Sequence, residues 1–266
     1  MSIDIFFNMK AELNGIFWDR GGFELPLPYI GDTLKSCRIF RKNIVEITWN
    51  SMRSLENNPT TLPQTATILA GQSVSGISIF DLMQVKNYAD GAKFLLNLLQ
   101  ENRFELSVEV ACSLHSLVGK EDALEWGVIR SSDVSLHNIS FVPPTKDLTT
   151  LITRGLDFLK NEINDPVEKA IGIFLFLARN QPFYDANKRT ASLLMNASLM
   201  KDGFFPITVL NKNSELFHSR LGRFYESGEG NPMFEFFDQT IRELYSEEQR
   251  KSFPRTIEER TCERQN

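Results

Sequence analysis

The chain has 266 residues, 42% of them hydrophobic and 24% charged, an ordinary globular composition with enough length to bury a core. Twenty-nine Lys and Arg against 34 Asp and Glu leave a net charge of −5, which argues against a broad grip on nucleic acid or anionic lipid and leaves room for a local basic pocket. The longest apolar run, residues 171–178, is far short of the roughly 20 needed to cross a bilayer. Met1-Ser2-Ile3-Asp4 does not read as a signal peptide, and three scattered cysteines (Cys37, Cys112, Cys262) form neither a zinc pattern nor a disulfide framework. The expectation is a cytoplasmic protein with no membrane partner.

Residues 1–32 mix aromatics with turn formers such as Gly21-Gly22 and Pro26, and read as an irregular arm with at most one short helix. From Thr33, apolar residues Ile39, Ile44, Ile47 and Leu55 predict a helical run that ends near Glu56, ahead of Asn57-Asn58-Pro59. A short helix follows Pro63, then a polar turn over 71–78, then helices over 81–99 and 106–117. Residues 127–142 carry Val128, Val134, Leu136, Ile139 and Phe141 among small polar residues before Pro143-Pro144, which predicts a β-hairpin. Helices resume over 148–161. Asp165, Pro166 and Glu168 then read as an N-cap, a first-turn proline and a capping-box partner. The helix they open carries Ile171, Ile173, Phe174, Phe176 and Leu177 almost all round, the pattern of a central buried helix. Another runs over 187–201, and one or two more over 213–245 are broken at 228–232. The expectation is one all-α domain with an N-terminal extension: arm and helices over 1–100, the domain proper over 101–245, and a charged tail over 246–266.

Chemistry concentrates in Asn180-Gln181-Pro182-Phe183-Tyr184-Asp185-Ala186-Asn187-Lys188-Arg189-Thr190, a loop feeding a helix N-terminus. Free main-chain N–H groups and the positive end of the helix dipole make such a place an anion site. Asn187, Lys188 and Arg189 add donors and charge, and Asp185 could hold Mg²⁺, which prefers one or two carboxylates plus phosphate oxygens. On spacing alone, an ordinary capped helix start with solvated charges stays open.

The segment resembles the Fic/Doc (Fido) signature, His-x-Phe-x-(Asp or Glu)-(Gly or Ala)-Asn-(Gly or Lys)-Arg, at Phe183, Asp185, Ala186, Asn187, Lys188 and Arg189. Leu114-His115, Phe141-Val142-Pro143-Pro144 and residues 190–203 extend the likeness over about 106–209. The resemblance implies a Fic-like helical bundle whose hairpin flap, at Val134, Leu136 and His137, docks a protein target as an added strand. It also implies a nucleoside triphosphate, usually ATP with Mg²⁺, in the loop, and transfer of AMP to a protein hydroxyl. Asp185 would then be the metal ligand, Asn187 and Arg189 would hold phosphate oxygens, and the N–H groups from Ala186 to Arg189 would complete the anion hole. Phe183 would anchor the core, and Lys188 is the variant of Doc-like loops, whose members transfer the terminal phosphate.

Two departures matter. Gln181 stands where the family histidine takes the proton from the attacking hydroxyl, and a carboxamide has no protonation equilibrium near working pH. Of the histidines, His137 is the one candidate for a substitute base; His115 reads as bonded into the core, and His218 lies outside any motif. Ser192 stands where adenylylating members often have a second arginine. Some members also carry an autoinhibitory helix, (Ser or Thr)-x-x-x-Glu-(Gly or Asn), and Met52 to Asn57 resembles it at Glu56 and Asn57. The usual partner of that glutamate is the absent arginine, so a plain helix-terminal Glu steadied by a nearby Lys or Arg stays open. The resulting expectation is a nucleotide-binding adenylyltransferase of weakened or altered activity. A silent binding or regulatory module and a Doc-like phosphotransferase remain as alternatives, and homo-oligomerisation is left open.

Overall fold

In the computed structural model, which describes residues 10–252, the chain is all-α apart from one small hairpin. Residues 1–9 of the expected arm, and 253–266 of the expected tail with Cys262, lie outside the described residues. Strands β1 (Lys10–Leu13) and β2 (Ile16–Asp19) pair antiparallel, Leu13 opposite Ile16. Asn14 and Gly15 between them sit at φ 52° and 73°, the two positive angles of the tightest hairpin turn. The irregular arm expected there is therefore corrected: an Asn-Gly pair between alternating residues makes a hairpin. Its Trp18 is buried and donates Nε1–H to Glu168 at 2.8 Å.

Helices α1 (Thr33–Lys42) and α2 (Ile44–Glu56) replace the continuous run expected from Thr33; the chain breaks at Asn43, whose side chain turns back to the Ile39 carbonyl. Then come α3 (Leu62–Leu69), α4 (Ile79–Gln100) and α5 (Val108–Val118), each opened by a Thr or Ser side chain that caps a third-position N–H. Helix α6 (Leu148–Glu162) leads to α7 (Pro166–Asn180), all of whose residues are buried, as the wrap-around apolar pattern requires. Asp165 caps α7 as expected, accepting from the N–H groups of Val167 and Glu168. Glu168 does not complete a capping box; its carboxylate turns to Trp18 and the Gly21 N–H and ties the hairpin to the helix. Burial pushes its pKa up, against those hydrogen bonds.

Helix α8 (Asn187–Lys201) packs on α7, and α4 and α5 pack on α8. After a 3₁₀ turn at Asn211–Asn213 come α9 (Ser214–Ser227), α10 (Asn231–Leu244) and the single turn α11 (Glu247–Arg250). Residues 127–142 hold no strand, which corrects the expected hairpin. Their polar groups bond elsewhere: the Arg130 N–H to the Pro182 carbonyl at 3.0 Å, and Ser140 by N–H and hydroxyl to Glu226. A single turn from Leu136 to Ile139 is the flap's only local closure among these bonds.

The α6 to α7 crossing is one of the tight contacts in this frame. A Cβ on Gly155 would clash directly with Phe176 Cζ and lie 2.5 Å from both Cε atoms of the ring. Gly155→Ala should therefore destabilise by about 1–3 kcal/mol in urea unfolding, although alanine is the better helix former by about 1 kcal/mol. Phe176→Leu in the same chain should recover part of the loss; a stabilised single variant would contradict this packing.

Candidate functional site

The loop between α7 and α8 is built by two residues outside the usual range for side-chain-bearing positions. Gln181 ends α7 at φ 45° and Ala186 precedes α8 at φ 57°, left-handed angles that cost on the order of 1 kcal/mol each. Asn187 staples the bend between them. Its Oδ1 accepts from the Phe183 N–H at 2.9 Å, and its Nδ2 donates to the Phe183 carbonyl and to Gln181 Oε1, both at 2.8 Å. Gln181 Nε2 donates to the Ala178 carbonyl at 2.5 Å. Both ends of the Gln181 carboxamide are thus engaged within the loop.

Beneath the loop, Phe183 stacks on His115 with ring centroids 3.8 Å apart. The Gly127 N–H donates to His115 Nδ1 at 3.0 Å, so the ring proton sits on Nε2, which reaches the Asp185 carbonyl at 3.1 Å. Burial, with Arg189 nearby, lowers the His115 pKa to about 4 despite the pull of that carbonyl. The ring is a neutral support for the loop, as expected of a core-bonded histidine.

Arg189, in the first turn of α8, is fully buried. Its Nη1 lies 2.6 Å from Asp122 Oδ2 and its Nη2 3.5 Å from Asp185 Oδ1. Its Nε lies 3.2 Å from Glu56 Oε1 at the last turn of α2, and Lys188 Nζ approaches the same oxygen at 3.9 Å. Burial pulls the guanidinium pKa down, but Glu56, Asp122 and Asp185 outweigh it and hold it above the ordinary value. Glu56 therefore meets the arginine that the motif itself carries, not one at position 192.

A cavity of about 370 Å³ opens over this cluster, within the size range of small-molecule sites. Glu56, Gln181, Asp185, Asn187 and Lys188 line one side, Leu136, His137 and Ile139 of the flap another, and His218 and Tyr225 of α9 the floor. His137 is exposed at this rim and Val134, half-buried, lies outside it. His218 Nε2 and the Tyr225 hydroxyl are buried without a partner. Burial, then the Lys188 charge, lowers the His218 pKa, while burial and Glu56 raise that of Tyr225.

The structure thus brings Glu56, Gln181, Asp185, Asn187, Lys188, Leu136 and His137 around one cavity, with Arg189 directly beneath. Sequence reading missed Asp122, Arg130, His218 and Tyr225. Asp122 follows α5 with no signal of its own, and His218 reaches the cavity only because α9 packs beside α2, the helix that carries Glu56. Among the described residues no group of three or more His, Cys, Asp or Glu could hold a metal ion by itself. Asp185, a half-exposed carboxylate at the cavity wall, fits Mg²⁺ only as one ligand beside phosphate oxygens and water. No helix among the described residues is long and apolar enough to cross a membrane.

Comparison with known proteins bears on the family and the fold. The model of the Fic/DOC family matches residues 105–199. Protein adenylyltransferase fic-1 of Caenorhabditis briggsae is 33% identical over 160 residues, covering 58% of this chain and 31% of that protein. Protein adenylyltransferase Fic of Nematostella vectensis is 32% identical over 162 residues, covering 59% of this chain and 38% of that protein. The chain spans about a third of the length of the curated relatives it matches. In fold, it is similar to Fic-1 from C. elegans, with a TM-score of 0.67 at 23% identity over 80% of this chain and 69% of that one. It is also similar to a Fic domain containing signaling protein from Bacteroides thetaiotaomicron, with a TM-score of 0.66 at 20% identity over 89% and 93% of the two chains.

The buried His115 ring has a testable consequence. Its folded pKa of about 4 lies below the ordinary 6.5, so between those values the unfolded chain binds the proton and the folded one does not. Its contribution is full above pH 6.5 and falls away toward pH 4, by up to about 3 kcal/mol. Urea unfolding of the native chain should lose that much more stability across the window than His115→Gln does; parallel pH profiles would contradict the buried neutral ring.

Proposed function

We propose that the chain, whose residues 105–199 form a Fic/DOC family domain, binds ATP with Mg²⁺ in the cavity above Arg189 and acts as a slow protein adenylyltransferase restrained by Glu56. The carrying observation is the anion already seated there. Glu56 Oε1 lies 3.2 Å from Arg189 Nε and 3.9 Å from Lys188 Nζ at the start of α8, and a phosphate oxygen carries the same charge and accepts the same bonds. Carboxylate and phosphate would compete for one face of one guanidinium. Asp122 holds the opposite side, at Nη1, and would keep the arginine charged and oriented whichever anion is bound.

In this reading Asp185 is the carboxylate for Mg²⁺, whose chemistry is to neutralise phosphate charge. The main-chain N–H groups at the start of α8 and the Lys188 and Arg189 side chains hold phosphate oxygens. Asn187 acts indirectly, because its carboxamide is spent on the loop. The reaction joins a protein hydroxyl oxygen to the α-phosphorus of ATP, breaks the bond to the β-phosphate, releases pyrophosphate and delivers the hydroxyl proton to a base. The curated relatives are named protein adenylyltransferases, which favours this transfer over movement of the terminal phosphate. The flap over 127–142 offers the target its edge, with Leu136 and His137 beside the cavity.

Gln181 limits the rate. A carboxamide whose two ends are bonded to Ala178 and Asn187 neither takes a proton nor turns freely to orient one, and loss of a general base removes about 10²- to 10⁴-fold in rate. That same bonding favours a second reading, a nucleotide-binding module that does not transfer.

Calorimetry with ATP and Mg²⁺ should give saturable binding to the native chain and roughly tenfold tighter binding to Glu56→Ala, about 1.4 kcal/mol. Equal affinities would remove Glu56 from the phosphate subsite. With ATP labelled separately at the α and γ phosphates, Gln181→His should raise α-label transfer to protein by about 10²- to 10⁴-fold over the native chain. Label arriving only from the γ position would favour the phosphotransferase, and no transfer even from Gln181→His would leave the binding module.

A further inference from the structure

A flap without a ladder needs something else to hold its two limbs together, and one side chain does it. Arg130 is buried, at 2% exposure, although it carries a charge, and its side chain donates to carbonyls and a hydroxyl, with the Asp133 carboxylate acting on it from beyond that hydroxyl. All five of its guanidinium hydrogens have acceptors. Nε–H donates to the Gln181 carbonyl at 2.6 Å; Nη1 donates to the Ser132 carbonyl at 2.7 Å and to Thr145 Oγ1 at 3.2 Å; Nη2 donates to the Pro144 carbonyl at 2.6 Å and to the Asn180 carbonyl at 3.4 Å. The Arg130 main-chain N–H adds the Pro182 carbonyl at 3.0 Å.

These acceptors come from three places. Ser132 is on the outgoing limb of the flap, Pro144 and Thr145 are on the returning limb, and Asn180 to Pro182 are the end of α7 and the turn that carries residue 181. The Thr145 hydroxyl also bonds Asp133, closing the neck a second time. The α7 carbonyls are the negative end of a fully buried helix dipole, and the Asp133 carboxylate, one hydroxyl away through Thr145, adds its charge; together they oppose the burial that pulls the Arg130 pKa down. A lysine would bring three donors from a point and could not span the fan.

We infer that Arg130 is a positioning residue: it substitutes for a hairpin ladder, clasps the neck of the flap to the end of α7, and so fixes the target-docking edge relative to residue 181. The clasp itself follows from geometry alone; its effect on transfer rests on the function proposed above. The two parts are therefore tested separately.

The clasp is tested by hydrogen exchange on the full chain. Arg130→Lys should speed amide exchange across 131–145 by roughly tenfold or more, while amides inside α7 and α8 and the thermal midpoint stay near native. A purely structural role would instead speed exchange throughout α7 and α8 and lower the midpoint. Either that pattern or unchanged flap exchange overturns the proposal. Should Arg130→Lys fail to fold, Thr145→Val, which cuts the two bonds made by that hydroxyl, should still speed exchange over 131–145 and leave α7 native; no change there overturns it equally. In the Gln181→His background, Arg130→Lys should lower kcat for AMP transfer at least tenfold with the ATP KM within twofold, as expected when reacting groups are misplaced by about 1 Å. A changed ATP KM with unchanged kcat would overturn the link to residue 181. A silent Gln181→His background would count against the adenylyltransferase reading, with the exchange result still deciding the clasp.

Discussion

The structure depends on keeping one positive charge out of water. Arg189 is fully buried, and an unpaired guanidinium there would be strongly disfavoured, by several kcal/mol. Three carboxylates from three parts of the chain answer it: Asp122 after α5, Asp185 in the motif loop and Glu56 at the end of α2. They are not equivalent. The Asp122 side chain is almost as buried as the arginine, Asp185 is half in solvent, and Glu56 sits at the negative end of its own helix, where a carboxylate is unfavourable without a cation close by. Glu56 therefore depends on the cations at the start of α8, Arg189 first and Lys188 beside it. Docking of the N-terminal helices and the electrostatics of the cavity are consequently one problem.

The loop above the arginine is braced on several sides. Its two left-handed residues, Gln181 and Ala186, are held by Asn187 inside the loop, by the His115 ring below and by Arg130 from the flap side. Each brace comes from a different element, so the loop's shape belongs to the bundle more than to the motif. Gln181 fits that role well, since a carboxamide can accept from Asn187 and donate to Ala178 at the same time. What the chain lacks in a titrating group at this position it gains in a fixed bend.

Much of this was legible in the sequence. The apolar residues surrounding α7 gave its burial, Asp165-Pro166 gave its start, and the run from Phe183 to Arg189 gave the loop with its cluster of charge. The misses have physical causes. Asn14-Gly15 is a strong local turn signal that stands among several other turn formers. The alternation over 127–142 predicts a strand pair, but its main-chain groups bond the Arg130 side chain, Pro182 and Glu226, and local pattern cannot reveal the last two, which lie fifty or more residues away. Asp122, Arg130 and His218 are single residues whose roles exist only once distant elements meet. Glu56 resembles the glutamate of an inhibitory helix whose usual partner would stand at Ser192; in the fold its carboxylate pairs with Arg189.

The central claim is that Glu56 stands where a phosphate oxygen would bind. A crystal structure of the native chain soaked with ATP and Mg²⁺ tests it most directly. The account requires a phosphate oxygen within hydrogen-bonding distance of Arg189 Nε, with the Glu56 carboxylate moved off and Asp122 still in place. Nucleotide bound elsewhere with the Glu56 to Arg189 pair intact, or no nucleotide at saturating concentration, would contradict it.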